Sequence, residues 1–396
     1  MKTLPVWISL RVTLLTLLAA SLPVIPAFAA GPQYTVSTLP SFGGASSGGN
    51  SVNNRGLIAG YSNQPDNLSR HATVWRNDAS HTLIDLGTLG GPNSSVTWND
   101  KNDRGLVAGI AQTDIPDPLG EAWSSAAFYG GPDNVGFINL GFTWKNGRMI
   151  ALPTLGGNNG FAAGGNNHSE VAGWAETNCP DSTCVPPQIL QFLPVIYGPQ
   201  PNEVRQLPLI PGDTSGAATA INDHHVAVGI SGICDQAVGR YTAKHAVVWQ
   251  DNTVTDIGNL GAEFWNTPEA INRRGDIVGF AGDPAYPEGD IVHAFIWTAE
   301  NGIQLLPALP GHVDSEAYGI NDRETVVGRS CDSAFVDCRG VRWDNGFVTD
   351  LNTEKQSDFT DRLENAKDIN NRGEITGRAI SPDTGVRTAY VAVPND

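Results

Sequence analysis

Glu269-Ala270-Ile271-Asn272-Arg273-Arg274-Gly275-Asp276-Ile277-Val278-Gly279-Phe280 is the stretch whose reading decides the fold. An apolar run ends at Asn272, the turn residues Arg273-Arg274-Gly275 follow, and a second apolar run closes on Gly279-Phe280. Two short β-prone runs joined by an Asn/Gly turn read as a hairpin. We label Glu269–Asn272 strand A and Asp276–Phe280 strand B. Further out, His293-Ala294-Phe295-Ile296-Trp297 reads as strand C and Gln304-Leu305-Leu306 as strand D.

The same phrase recurs along the chain. An Asn stands at positions Asn53, Asn102, Asn166, Asn222, Asn272, Asn321 and Asn370, each followed seven residues later by a Gly. Successive Asn are 49, 64, 56, 50, 49 and 49 residues apart. Strand C closes on an aromatic at Trp75, Trp144, Tyr197, Trp249, Trp297 and Trp343. A period near fifty with four short strands per unit describes a propeller blade. One blade cannot cover both of its faces, whereas a closed ring covers all of them. The seventh unit stops at Asp396 before a full strand D, and Tyr34–Leu39 reads as a lone strand D. The expectation is an all-β, seven-bladed β-propeller of four-stranded antiparallel blades, closed by the N-terminal strand pairing into the last blade. The glycine seven residues after the Asn is expected to let a neighbouring backbone approach closely.

Residues 1–29 read as a secretory signal peptide. Lys2 and Arg11 precede or open a short apolar run, Pro23 and Pro26 break it, and Ala27-Phe28-Ala29 supplies the small residues of a cleavage site. Residues 30–396 are then a single propeller domain, secreted or periplasmic, with no membrane span after cleavage. Removal of Lys2 and Arg11 leaves 22 basic against 41 acidic residues, a balance of −19. Such a charge disfavours nucleic acid and anionic lipid as partners. Of five Cys, the spacing allows local disulfides Cys179–Cys184 and Cys331–Cys338 with Cys234 left over. The alternative pairs Cys234 with a Cys on a neighbouring loop.

The recurrent units resemble the extracellular repeat proteins named for a His-Ala-Phe (HAF) signature. It stands here as His293-Ala294-Phe295-Ile296-Trp297, with looser forms at His71–Trp75 and His245–Trp249. Leu140, Leu193 and Arg339 occupy the His position in other units. The resemblance implies export and a repeat fold, and no particular activity.

No motif assigns a catalytic residue, a metal set or a cofactor. Gly44-Ala45-Ser46-Ser47-Gly48 matches G-x-S-x-G but lies between strands rather than at a strand-to-helix elbow. His71, His245 and His293 read as structural residues at strand starts. Calcium at Asp283–Asp290 stays open as a weaker alternative, although the spacing matches no established loop. The third turn residue is basic in every unit (Arg55, Arg104, His168, His224, Arg274, Arg323 and Arg372), which is expected to serve structure because a ring repeats it.

Function is expected on the opposite face, where the B–C and D–A loops diverge. The candidate ligand residues there are Trp123, Tyr129, Asp213, Glu263, Phe264, Trp265, His312 and Asp314. Aromatics among acids and amides suit sugar rings and their hydroxyls. The expected role is a non-enzymatic binding module for carbohydrate or an extracellular protein. A glycan hydrolase or lyase drawing on Glu263, Glu269, Asp314 and Glu316 is the alternative, and a structural surface protein is the third.

Overall fold

A computed structural model of the chain describes residues 33–99, 101–121, 128–129, 136–235 and 238–395. The signal-peptide segment and Trp123 lie outside the described residues. Seven four-stranded antiparallel sheets form, each A-B-C-D from the axis outward, six in chain order and the seventh taking its D strand from the N-terminal segment. Blade five has strands Thr267–Ile271, Ile277–Gly282, Val292–Thr298 and Gly302–Leu305. Each strand falls within two residues of its position in the sequence reading.

Ring closure follows expectation. Tyr34–Thr38 pairs with Arg387–Pro394 as the outer strand of blade seven, from Tyr34 opposite Pro394 to Thr38 opposite Tyr390. Its outer edge is covered in part: the Tyr34 N–H bonds the Glu354 carbonyl at 3.0 Å, and Gln356 donates to the Val36 carbonyl and accepts from the Val36 N–H, both at 2.8 Å. A covered edge cannot template pairing with another chain.

The conserved spacing of Asn has a direct physical cause. Each Asn side-chain oxygen accepts two N–H groups of its own turn, as Asn321 does from Arg323 and Thr325. Each Nδ2 donates to the carbonyl of the next blade's Asn, at 2.6–3.2 Å. Asn370 donates to Asn53, so the seven links form a closed circle. The following residues add a second circle, in which Asn54, Asp103 and Asn167 and then Arg273, Asp322 and Asn371 donate a backbone N–H to the next side chain. The link from Asp223 is missing because Arg273 offers no side-chain oxygen. These second residues line a small axial cavity of about 140 Å³. The basic third residues do not line it. Arg274 pairs with Asp276 and Glu324, Arg372 pairs with Glu374, and His224 meets the Arg273 carbonyl.

The repeat glycine faces a β-bulge. In blades one, four, five, six and seven, strand A carries an extra residue at Asn50, Thr219, Glu269, Tyr318 and Lys367 respectively. The bulge presses a strand A carbonyl onto strand B. A Cβ on Gly328 would lie 1.9 Å from the Glu316 oxygen, and one on Gly279 would lie 2.0 Å from the Thr267 oxygen. Only a residue without a Cβ fits there.

Apolar contacts between neighbouring blades fill the ring. Trp75, Trp249 and Trp343 at the ends of C strands are buried, and each indole N–H meets a D–A loop carbonyl, of Pro40, Pro208 and Pro307. A buried indole N–H needs such a partner. The disulfides are Cys331–Cys338 and Cys184–Cys234, and Cys179 is exposed and unpaired. The local Cys179–Cys184 pairing is therefore corrected to its alternative. The ring sets consecutive B–C loops side by side, and Val185 N–H bonds the Asp235 carbonyl at 2.7 Å. Nearness around the ring outweighs nearness in sequence. Among the described residues, no helix is long and apolar enough to cross a membrane.

Candidate functional site

Three positions per blade point toward the axis on the loop-rich side. Two come from strand A, five and three residues before the Asn, and one follows the repeat glycine in strand B. The last is Tyr61, Ile110, Trp174, Ile230, Phe280, Arg329 and Arg378 in blades one to seven. The axis is therefore two-sided in chemistry. In blades two to four six of these nine positions are apolar, Thr97, Asn99 and Thr219 being the exceptions: Ile110, Phe161, Ala163, Trp174, Ala217 and Ile230 pack with Tyr129 and Cys234 from the loops into a buried cluster. Phe161 and Trp174 stack at 4.0 Å, and Trp98 meets both rings edge-on. The cluster plugs that half of the funnel.

Blades five, six, seven and one leave a pocket of about 450 Å³ beside the plug. Its cationic side chains are Arg70, Arg329, Lys367 and Arg378, against the carboxylates Glu269 and Glu316. Trp98, Trp265, Phe280, Tyr61 and Tyr318 supply aromatic surface. The β-bulges matter here, since four of the bulged residues (Asn50, Glu269, Tyr318 and Lys367) line the pocket. A bulge re-aims a side chain beside a site without breaking the sheet.

One wall is built around Tyr61. The Arg70 guanidinium lies 3.8 Å from the centre of its ring. The Arg378 NH1 donates to the Tyr61 hydroxyl at 3.4 Å, and Ser46 Oγ lies 3.5 Å from it. Burial alone would raise the phenol. The charges of Arg378 and Arg70, with these hydrogen bonds, outweigh it and bring the group down to about 8. Arg378 is also paired with Glu364 at 2.8 Å, which Arg387 shares. Arg70 instead donates to Asn63 Oδ1 and the Phe128 carbonyl, so its charge meets no carboxylate among the described residues.

The facing wall is a tighter network. Arg329 pairs with Glu316 at 2.5 Å and lies 3.9 Å from Asp314. The Tyr318 hydroxyl donates to Glu316, and the Lys367 ammonium sits 3.3 Å over the Tyr318 ring. Burial raises the Glu269 carboxyl and the nearby Glu316 charge adds to it, while burial lowers Lys367. Asp314 is pushed up to about 6 by burial and then by Glu316. Thr97 Oγ1, Trp98 Nε1 and Arg329 Nε are buried without a hydrogen-bond partner among the described residues. Unmet polar atoms lining a cavity fit a ligand that supplies their bonds.

The sequence-based candidates fall in several places. Trp265 lines the pocket, and its backbone φ of +54° is a strained conformation for a bulky residue. Asp314 stands behind Arg329 and is 1% exposed. Tyr129 is fully buried in the plug. Phe264 lies under Arg240, Glu263 is exposed near Lys244, and Asp213 bonds Ser231. His312 belongs to a separate surface hollow with Asp337, Arg339 and Asp350. The signature His residues serve strand ends: His71 meets Asp85 at 2.9 Å, His245 meets Asp256 at 2.7 Å and His293 meets Asp283 at 2.8 Å. The other Asp283 oxygen accepts the Ala285 N–H at 2.8 Å. Tyr61, Arg70, Arg329, Lys367 and Arg378 were absent from the sequence-based candidates. The residue after each repeat glycine is the signal that could have found Tyr61, Arg329 and Arg378; Lys367 stands at the strand A position three residues before the Asn, and Arg70 just before a signature His.

No protein-family model matches the chain, and no curated protein matches it in sequence. Among solved structures it is similar to the β-propeller domain of the Trilobed protease from Pyrococcus furiosus, at 9% identity and TM-score 0.50, covering 90% of this chain and 95% of that one. That propeller is described as having an open velcro topology. The acylaminoacyl peptidase of Pyrococcus horikoshii follows at 7% identity and TM-score 0.48, covering 89% of this chain and 52% of that one. Likeness at such identity shows the fold: the chain is a seven-bladed β-propeller of four-stranded antiparallel sheets.

Proposed function

We propose that this propeller is an exported binding protein of the HAF-repeat group whose axial pocket takes an acidic carbohydrate. The observation that carries the reading is the Arg70–Tyr61–Arg378 wall. Two guanidiniums converge there in a protein of net charge −17, and one of them meets no carboxylate among the described residues. A guanidinium fork matches a carboxylate in shape and charge. Trp265, Trp98 and Phe280 offer flat apolar surface for a sugar ring. Two disulfides and the signal-like leader support an oxidising destination.

Calorimetric titration tests this. Oligogalacturonides and alginate oligosaccharides are expected to bind, with affinity falling as salt rises, while neutral cello-oligosaccharides bind weakly or not at all. Arg70→Ala and Trp265→Ala are expected to lose binding. Equal binding of neutral sugars, or unchanged affinity in Arg70→Ala, would overturn the reading.

A further inference from the structure

We propose that the pocket also carries a reaction: β-elimination across a 4-linked uronate, with Tyr61 as the catalytic residue that takes the proton from C5. This rests on the acidic-carbohydrate reading above. It adds a chemical step and a residue to perform it.

The geometry supplies what the step needs. The C5 proton of a uronate is α to a carboxylate, so its removal places charge on that carboxylate. A base must stand beside cations that hold the carboxylate and stabilise the developing charge. Tyr61 is a phenol on the pocket wall with Arg70 over its face and Arg378 at its hydroxyl. The charged groups around it are Arg70 from strand C of its own blade, Arg378 from blade seven, and the Glu364–Arg387 pair behind Arg378. Ser46 at the start of strand A is its polar, uncharged neighbour. This setting brings the phenol to about 8, so a substantial phenolate fraction exists in mildly alkaline solution. Arg70 and Arg378 are positioning residues for the phenolate, and Arg70, which pairs with no carboxylate among the described residues, can also meet that of the sugar.

The step balances within the substrate and one side chain. The Tyr61 phenolate takes the C5 proton. The electron pair left at C5 forms the C4=C5 double bond, and the C4–O4 bond breaks. The departing O4 receives the proton from Tyr61 and becomes a hydroxyl at the new reducing side. The other fragment ends in a 4,5-unsaturated uronate. No oxidant or reductant takes part.

The experiment incubates the purified chain with polygalacturonate and with alginate, following the ultraviolet absorbance of the conjugated double bond, and measures binding of the same sugars in parallel. The expected result is turnover that rises with pH through about 8 as the phenolate forms. Tyr61→Phe keeps the ring under Arg70 and removes only the hydroxyl. Turnover is expected to fall about a hundredfold or more, and affinity by far less, since Arg70 and the ring it covers remain. Arg378→Gln is expected to move the pH profile upward, which a structural role alone would not do. Binding without any absorbance change would overturn the elimination and leave the binding reading standing. Turnover that survives in Tyr61→Phe would overturn the residue assignment. Absence of binding in every sugar would overturn both.

Discussion

Asn321→Ala is the substitution that tests why the repeat keeps its Asn. The side chain is 4% exposed and makes three bonds: its oxygen accepts Arg323 N–H at 2.9 Å and Thr325 N–H at 3.0 Å, and its Nδ2 donates to the Asn370 carbonyl at 3.2 Å. Each such bond contributes about 1 kcal/mol net, and the groups left behind are poorly solvated, so a loss of about 3 kcal/mol is expected. Asn321→Asp separates the two roles. It keeps an acceptor for the turn but loses the donor to the next blade and sets an anion against a carbonyl. Urea unfolding followed by the fluorescence of the ten tryptophans and by circular dichroism gives both values, provided the two transitions coincide. If Asn321→Ala costs less than about 1 kcal/mol, the typical net worth of one bond, water replaces the links and the Asn circle does not hold the ring. If Asn321→Asp is as stable as the parent, the inter-blade link contributes nothing and only the turn matters.

Three further outcomes are expected. Arg273→Asn supplies the side-chain oxygen that the second circle lacks opposite Asp223, at the loss of an exposed ion pair with Asp322, and should raise stability in the same urea assay by about 1 kcal/mol. Cys234→Ser opens a disulfide spanning 50 residues and should destabilise by about 4 kcal/mol on loop-entropy grounds, against about 2 kcal/mol for Cys331→Ser, whose loop spans 7; equal losses would show that local packing rather than chain constraint dominates. Glu121 bonds Ile189 and Leu190 N–H, and burial followed by the charge of Glu176 raises it to about 7. Between the ordinary glutamate range and that value the folded chain holds a proton the unfolded chain has released, so this group makes stability fall as pH rises through the window. Glu121→Gln should flatten that fall in unfolding measured from pH 5 to 8.

The loops show how far local sequence carries a site. Trp265 was legible as an aromatic in a divergent D–A loop, and it does line the pocket. Tyr129 was equally legible by the same signal, yet it is fully buried in the plug. An aromatic on a variable loop reads the same whether it folds inward or faces a ligand. Arg70, one residue before a signature His, carries no signal of its own in the sequence, yet it donates to the Phe128 carbonyl and covers the Tyr61 ring.

The sequence by itself determined the blade count, the four-strand unit, the closing strand and the role of the repeat glycine. These depend on contacts within a blade or between blades of fixed order, so a periodic pattern encodes them. The tertiary structure alone decided the pocket. Tyr61 and Arg378 stand 317 residues apart and meet because the ring sets blade seven beside blade one. It also decided the Cys184–Cys234 bond, since adjacent loops touch across a blade boundary. Tyr129 and Cys234, from the loops of blades two and four, complete the plug over strand residues such as Phe161 and Trp174, and a variable loop carries no periodic pattern from which its path can be read.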